Sequence, residues 1–242
     1  MSAAADPQGP ADGLDARLAT VRARIDTAAR AAGRDPATVR LIGVTKTHPI
    51  ATAEAALAAG LSDLAENRVD ALVTKAAVVP ARWHLVGRLQ RNKVRDVVGR
   101  AALVHSVDRR SLVDVLDQRA RAQGCVQDVL VQVNVGEDPA KGGCDLADVA
   151  DLVTYAAGAA GVRVVGLMTV PPLPGDGVTH GDAARPHFRA LREARDTLRG
   201  TFPEVEELSM GMSADLEAAV AEGATMVRIG SALFGPREEG AR

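Results

Sequence analysis

Aromatic side chains make up only 2% of this 242-residue chain: one Trp, one Tyr and three Phe. That is too few to stack against a row of unpaired bases, which excludes single-stranded nucleic-acid binding by aromatic platforms. Charge of one sign is also missing. The 29 Lys and Arg stand against 31 Asp and Glu, and a net charge of −2 argues against an electrostatic nucleic-acid or membrane binder. No apolar stretch approaches membrane-spanning length without interruption. The two cysteines, Cys125 and Cys144, have neither metal-ligand spacing nor a secretory context and are expected as reduced thiols in a cytoplasmic protein. Residues 1–12 are mostly Ala, Pro, Gly and Asp, without a basic or apolar signal region, and are expected as a disordered tail.

What is present is Ala, Val, Leu and Ile, a core composition suited to parallel sheet covered by helices. Leu14, Leu18, Val21, Ile25, Ala28 and Ala29 form a helical stripe that stops at Gly33. Short apolar runs follow at 39–46, 61–65, 82–87, 102–107, 128–135, 162–169, 205–209 and 225–229. Helical patterns lie between them at 50–59, 67–78, 90–98, 109–123, 145–158, 182–199 and 214–222, with a stub at 231–235. Eight strand–helix units predict an α/β protein, a single (β/α)8 TIM-type barrel over residues 13–237 with an extra N-terminal helix and a short tail at 238–242. No G-x-G-x-x-G follows the first strand, so a dinucleotide site is not supported. Pro171 to Gly181 reads as a mobile loop on the active face.

Such barrels carry their chemistry at the carboxyl ends of the strands. Lys46 ends the first run, with its stem in the core and its amine at a strand edge. Burial there lowers the cost of losing the proton and makes a nucleophile for aldehydes; a lysine that snorkels into water fits the same junction. Ser209-Met210-Gly211-Met212-Ser213 and Gly230-Ser231 end the seventh and eighth runs, where barrels favour a phosphate, although serines there also serve as helix caps. Arg228 interrupts the last strand, and a buried guanidinium needs an acceptor: a ring nitrogen, a carboxylate or a phosphate. Asn67 offers a side-chain donor on the same face, or a helix cap. His48, His84 and His105 come from three strand regions, but no carboxylate accompanies them and no pair has i,i+4 spacing, so no metal centre is expected. Arg88, Arg91, Lys93 and Arg95 read as a solvated helix face.

Val44-Thr45-Lys46-Thr47-His48-Pro49, Glu66-Asn67-Arg68-Val69, Trp83-His84-Leu85-Val86-Gly87, His105-Ser106-Val107-Asp108, Gly166-Leu167-Met168-Thr169, Leu208 to Ser213 and Val227-Arg228-Ile229-Gly230 occur in order. Over residues 14–237 the chain resembles the YggS-type pyridoxal phosphate homeostasis family, related to the barrel domain of alanine racemase. Leu85, where Phe is common, and Val135-Gly136, where a Thr-Ser pair is more usual, are slight departures. The resemblance implies that Lys46 forms an aldimine with pyridoxal 5′-phosphate and that Arg228 faces the pyridine nitrogen. Ser213, Gly230 and Ser231 would hold the phosphate, with Ser209 and Met210 close by and Asn67 beside the ring. It further implies a cofactor holder with little or no catalysis that maintains pyridoxal phosphate homeostasis and passes the cofactor to pyridoxal phosphate-dependent apo-enzymes. The rivals are an amino-acid racemase, which needs an opposing tyrosine base that Tyr155 is badly placed to supply, and a Schiff-base aldolase working through Lys46 alone.

Overall fold

The structure, a computed structural model, describes residues 12–138, 141–172 and 180–235. The apolar stripe of the first helix, α1 (Asp12–Ala31), is buried from Leu14 to Ala29, and Gly33 follows at φ 68°, the left-handed stop that glycine tolerates. Among the described residues eight parallel strands then close into a ring in chain order. They are β1 (Arg40–Val44), β2 (Asp63–Glu66), β3 (Arg82–Leu85), β4 (Leu103–Val107), β5 (Gln127–Gln132), β6 (Val162–Met168), β7 (Glu207–Ser209) and β8 (Met226–Ile229). Pairing of β1 with β8, Arg40 opposite Met226 through Gly43 opposite Ile229, closes the barrel.

Side chains alternate between the two faces of each strand. Outward-facing residues such as Val104, Val129, Leu208 and Val227 pack under helices α2 (Ile50–Ala58), α3 (Val69–Ala76), α4 (Val94–Val97), α5 (Arg110–Ala122), α6 (Val149–Ala157), α7 (His180–Leu198), α8 (Leu216–Ala221) and α9 (Ser231–Phe234). Inward-facing Ile42, Val44, Ala65, Leu103, Leu130, Met168 and Met226 form a separate apolar plug inside the ring. The α/β barrel and its additional N-terminal helix are as the βα alternation predicts.

Boundaries differ where helices begin. The expected helix at 90–98 is one 3-10 turn, Arg91–Lys93, followed by the single α turn of α4, and Leu146–Asp148 is likewise a 3-10 turn ahead of α6. Arg88, Arg91, Lys93 and Arg95 are exposed, as a solvated face requires. Cys125 and Cys144 carry free thiols, and burial pushes the Cys144 thiol up to about 12, which disfavours the thiolate form. The terminal tails lie outside the described residues, except that Asp12 opens α1, and so does residues 173–179 of the expected active-face loop. Among the described residues no helix is long and apolar enough to cross a membrane.

Candidate cofactor site

After β1 the chain turns through Thr45, Lys46 and Thr47 before α2 begins. Thr47 stands at φ 66°, a left-handed conformation rarely taken by a β-branched residue. Its hydroxyl donates to the Lys46 carbonyl at 2.5 Å, and the His48 amide donates to the Thr45 carbonyl at 3.1 Å, so the turn is tied on both sides of the half-buried lysine. Backbone of this kind persists where its surroundings over-determine it.

Those surroundings include a buried ion pair. Lys75 lies on the buried face of α3 with Val69 and Leu72, and its Nζ is 2.5 Å from Glu66 Oε1. The same ammonium donates to the Thr45 carbonyl at 2.8 Å, while Thr45 Oγ1 donates to Glu66 Oε1 at 2.7 Å. The residue preceding Lys46 is thereby clamped through both its backbone and its side chain. The second carboxylate oxygen of Glu66 is buried without a hydrogen-bond partner among the described residues.

Arg228 points into the barrel from β8 and is 5% exposed. Its Nη1 donates to Ser209 Oγ at 2.6 Å and its Nη2 to the Thr169 carbonyl at 2.8 Å, two of the five N–H donors a guanidinium carries. Burial pushes its pKa down to about 10, against the pull of Asp215, so it remains a cation at neutral pH. Asp215 is itself buried; its Oδ1 accepts the Met212 amide at 2.5 Å, and burial pushes its carboxyl above the ordinary range.

The turns after β7 and β8 converge. The Ser231 hydroxyl lies 3.3 Å from Ser213 Oγ, and the Ala232 amide points to the same oxygen at 3.4 Å. From behind, Arg24 of α1 donates to the Ser213 carbonyl at 3.0 Å and Arg17 to the Leu233 carbonyl at 2.5 Å. Gly211 is at φ 94°, and a Cβ there would stand 2.5 Å from the Ala219 Cβ. At Gly230 a Cβ would meet the Val44 carbonyl oxygen at an ordinary 3.4 Å, so protein packing does not demand the glycine; its bare Cα leaves a cradle beside the Lys46 turn. The helices that follow, six and four residues long, are shorter than the patterns at 214–222 and 231–235 suggest. Their dipoles are correspondingly small, and hydroxyls and local amides are the main means of attracting an anion.

The other expected site residues divide. Asn67 is exposed between β2 and α3, and the cap position of α3 falls to Arg68, so Asn67 is not the helix cap. Its carbonyl lies so near Gly87 that a Cβ there would come within 1.9 Å, which only glycine avoids. Met210 is buried in the layer between barrel and helices, its side chain committed to packing. Ser209 is wholly buried beneath Arg228. The histidines need a correction: a carboxylate does accompany them. Asp63 Oδ1 is 3.0 Å from His84 Nε2, His84 Nδ1 is 3.0 Å from His105 Nε2, and His105 Nδ1 is 2.9 Å from Ser209 Oγ. All four ring nitrogens are thus engaged, while His48 lies apart with its ring 5.6 Å from that of Phe234. Asp63, Glu66, Lys75 and Asp215 were not singled out by sequence. Lys75 was detectable, since it repeats the three-residue step of Val69 and Leu72, and Asp63 shares the strand period of inward-facing Ala65.

The rim therefore presents an amine, a buried guanidinium and a two-hydroxyl cup. The family model of the alanine racemase N-terminal domain matches residues 16–238. A pyridoxal phosphate homeostasis protein of Aquifex aeolicus is 41% identical over 92% of this chain and 97% of its own length. Its namesake in Pseudomonas aeruginosa is 42% identical over 93% and 96%. The structure of PipY from Synechococcus elongatus with pyridoxal phosphate bound superposes with a TM-score of 0.79 at 35% identity, covering 92% of this chain and 100% of that one. An alanine racemase of Clostridium difficile shares the fold, with a TM-score of 0.72 at 13% identity over 89% of this chain and 59% of its own. The chain belongs to the alanine racemase N-terminal-domain family and, within it, to the pyridoxal phosphate homeostasis proteins.

Proposed function

We propose that this protein binds pyridoxal 5′-phosphate reversibly, with the amine of Lys46 as the covalent anchor, and so limits the free aldehyde. The observation that carries this reading is the meeting of Ser213 and Ser231 from separate turns, 3.3 Å apart, at the same strand ends as Lys46. The phosphate brings nearly two negative charges, which two hydroxyls and the Ala232 amide can meet beside the cradle at Gly230. Met210 would contribute through its backbone, Asn67 through its exposed amide, and Ser209 through Arg228, since its own hydroxyl lies in the core.

When bound, the cofactor supplies an aldehyde that condenses with amines and a pyridine ring that can take up electrons. Arg228 keeps its proton, so a ring nitrogen facing it accepts a hydrogen bond and stays unprotonated, which weakens electron uptake. Racemisation also needs a second base on the opposite face of the substrate carbon. Tyr155 is exposed on α6 with its hydroxyl on Asp114 Oδ1 at 2.6 Å, and both nitrogens of His84 are occupied in the core. Neither supports a racemase. A holder with little or no turnover is the better reading. Exposure of Asn67 and Ser231 supports release to pyridoxal phosphate-dependent apo-enzymes.

The test is an absorption spectrum of purified protein titrated with pyridoxal phosphate, followed by borohydride and peptide mapping. A visible band of the bound cofactor, and a reduced adduct on Lys46 that is lost in Lys46→Ala, are expected. No band, or an adduct on Lys75 or Lys93 instead, would place the cofactor elsewhere.

A further inference from the structure

The barrel interior contains more polar chemistry than cofactor binding needs at its rim. From Asp63, the first residue of β2, to Arg228 near the end of β8, four hydrogen bonds run in series through His84, His105 and Ser209 at 3.0, 3.0, 2.9 and 2.6 Å. The two histidines are fully buried, and the line crosses from the amino-terminal end of the ring to its carboxyl-terminal end. Its ends are chemically opposite. Arginine can only donate, and an ionised carboxylate can only accept.

We propose that Asp63, His84, His105 and Ser209 are positioning residues that form one directed hydrogen-bond chain, which orients Arg228 and relays to it the charge of a carboxylate on the opposite face of the barrel. The direction follows from neutrality of the imidazoles. With Asp63 as acceptor, His84 carries its proton on Nε2 and presents the lone pair of Nδ1. His105 must then donate from Nε2 and accept at Nδ1, and the acceptance at Nδ1 takes the proton of the Ser209 hydroxyl. Ser209 is left with only lone pairs to show Arg228. Every donor points away from the guanidinium, so the negative end of each dipole faces the cation, which offsets the cost of burying it. The opposite polarity would require an imidazolium at His84, inside the core and in a chain with a second cation.

The electrostatics of the individual groups agree. Burial pushes both imidazoles down, His105 furthest. Burial is the largest single influence on the Asp63 carboxyl and pushes it up, but the hydrogen bonds to His84 and Ser62 together with nearby positive charge, Arg40 included, outweigh it and hold the acid below the usual range. Asp63 also lines a cleft of about 610 Å³ with Arg22, Arg40 and Ser62, so the far end of the chain meets solvent on the face away from Lys46.

Orientation of Arg228 is a property of the free protein; only its effect on the bound ring rests on the function proposed above. The experiment separates the two. Long-range ¹H–¹⁵N spectra of imidazole-labelled protein without cofactor should show two histidines as Nε2–H tautomers that do not titrate between pH 6 and 8; Ser209→Ala should shift the Nδ1 resonance of His105. A Nδ1–H tautomer or an imidazolium at either position overturns the chain. With pyridoxal phosphate bound, Asp63→Asn keeps the shape and removes the charge. It should shift the visible absorption of the cofactor and weaken its binding by about 2- to 30-fold, although the substitution lies on the opposite face. An unchanged spectrum and affinity in Asp63→Asn overturn the relay, whereas a wild-type protein that takes up no cofactor but shows both tautomers refutes only the cofactor reading.

Discussion

Glu66 offers both oxygens to the core, yet only one is bonded among the described residues, to Lys75 and to the Thr45 hydroxyl. A pair this deeply buried is better evidence for geometry than for stability, because desolvation cancels much of the attraction. What it accomplishes is to hold the Thr45 carbonyl, and with it the Lys46 turn. Glu66→Ala should therefore lower unfolding stability in urea by about 3–5 kcal/mol, since it strands a buried ammonium, and adding Lys75→Met should recover much of that loss. A single substitution no worse than the double would show that Lys75 finds another partner. At the cup, Ser213→Ala with Ser231→Ala should weaken pyridoxal phosphate far more than unphosphorylated pyridoxal, by about 3–6 kcal/mol for two bonds to a charged group. Equal losses for both ligands, measured by spectral titration, would leave the serines as structural residues.

Among the elements, α1 is the one without a place in the eight-fold pattern, and its contacts give it a function. It packs along α8 and α9, and its Arg17 and Arg24 reach the carbonyls of Leu233 and Ser213 on either side of the cup. Arg24 also pairs with Glu217 at 2.6 Å, which orients the side chain but, at a partly exposed site, contributes little stability. Arg24→Ala is thus expected to loosen the Ser213 turn and raise the Kd for pyridoxal phosphate while barely moving the urea midpoint. A matched loss of stability and affinity would contradict a specific bracing role. The β7–α8 turn depends on Gly211 twice, through its φ of 94° and the 2.5 Å approach to Ala219. Gly211→Ala should destabilise by about 1–3 kcal/mol and weaken binding together.

For the whole molecule the buried histidines set the pH response. Both imidazoles lie below their ordinary value because of burial. Below about pH 6.5 the unfolded chain takes up protons that the native one refuses, so their contribution is fully present above that pH and is lost as pH falls toward the folded values. The slope is about 1.4 kcal/mol per pH unit for each histidine. Asp63, held low, adds in the same sense only below about pH 4, whereas Asp215, raised by burial, contributes in acid and loses that contribution as pH rises. The urea midpoint should fall between pH 7.5 and 5; a flat profile would mean that the histidines titrate normally. Function at this scale is tested by incubating cofactor-loaded protein with L-alanine in deuterated water. Slow α-exchange without inversion fits a site with one base, and inversion at enzyme-like turnover, abolished in Lys46→Ala, would make this a racemase.

The chain by itself determined the alternation of apolar runs and amphipathic stretches, and with it eight strands, the helices between them and the first helix ahead of them. It also located Lys46 at a strand end and serines in the last two turns, because these are local matters of period and punctuation. Period 2 even assigns Asp63, His84, His105, Ser209 and Arg228 to inward faces. It cannot say which inward residues meet. Closure of the ring decides that, bringing His105 of β4 to Ser209 of β7, 104 residues away, and a β2 carboxylate to a β3 histidine. Three histidines without a visible acid therefore became two histidines with one, and the third was left elsewhere. Helix ends, by contrast, are local: α4, α8 and α9 each stop just before a glycine in the left-handed region, Gly99, Gly223 and Gly235, within a residue of where the pattern places them, and it is the starts of α4 and α8 that come late. Local chemistry selects the face of each strand; only the tertiary closure selects its neighbours across the core.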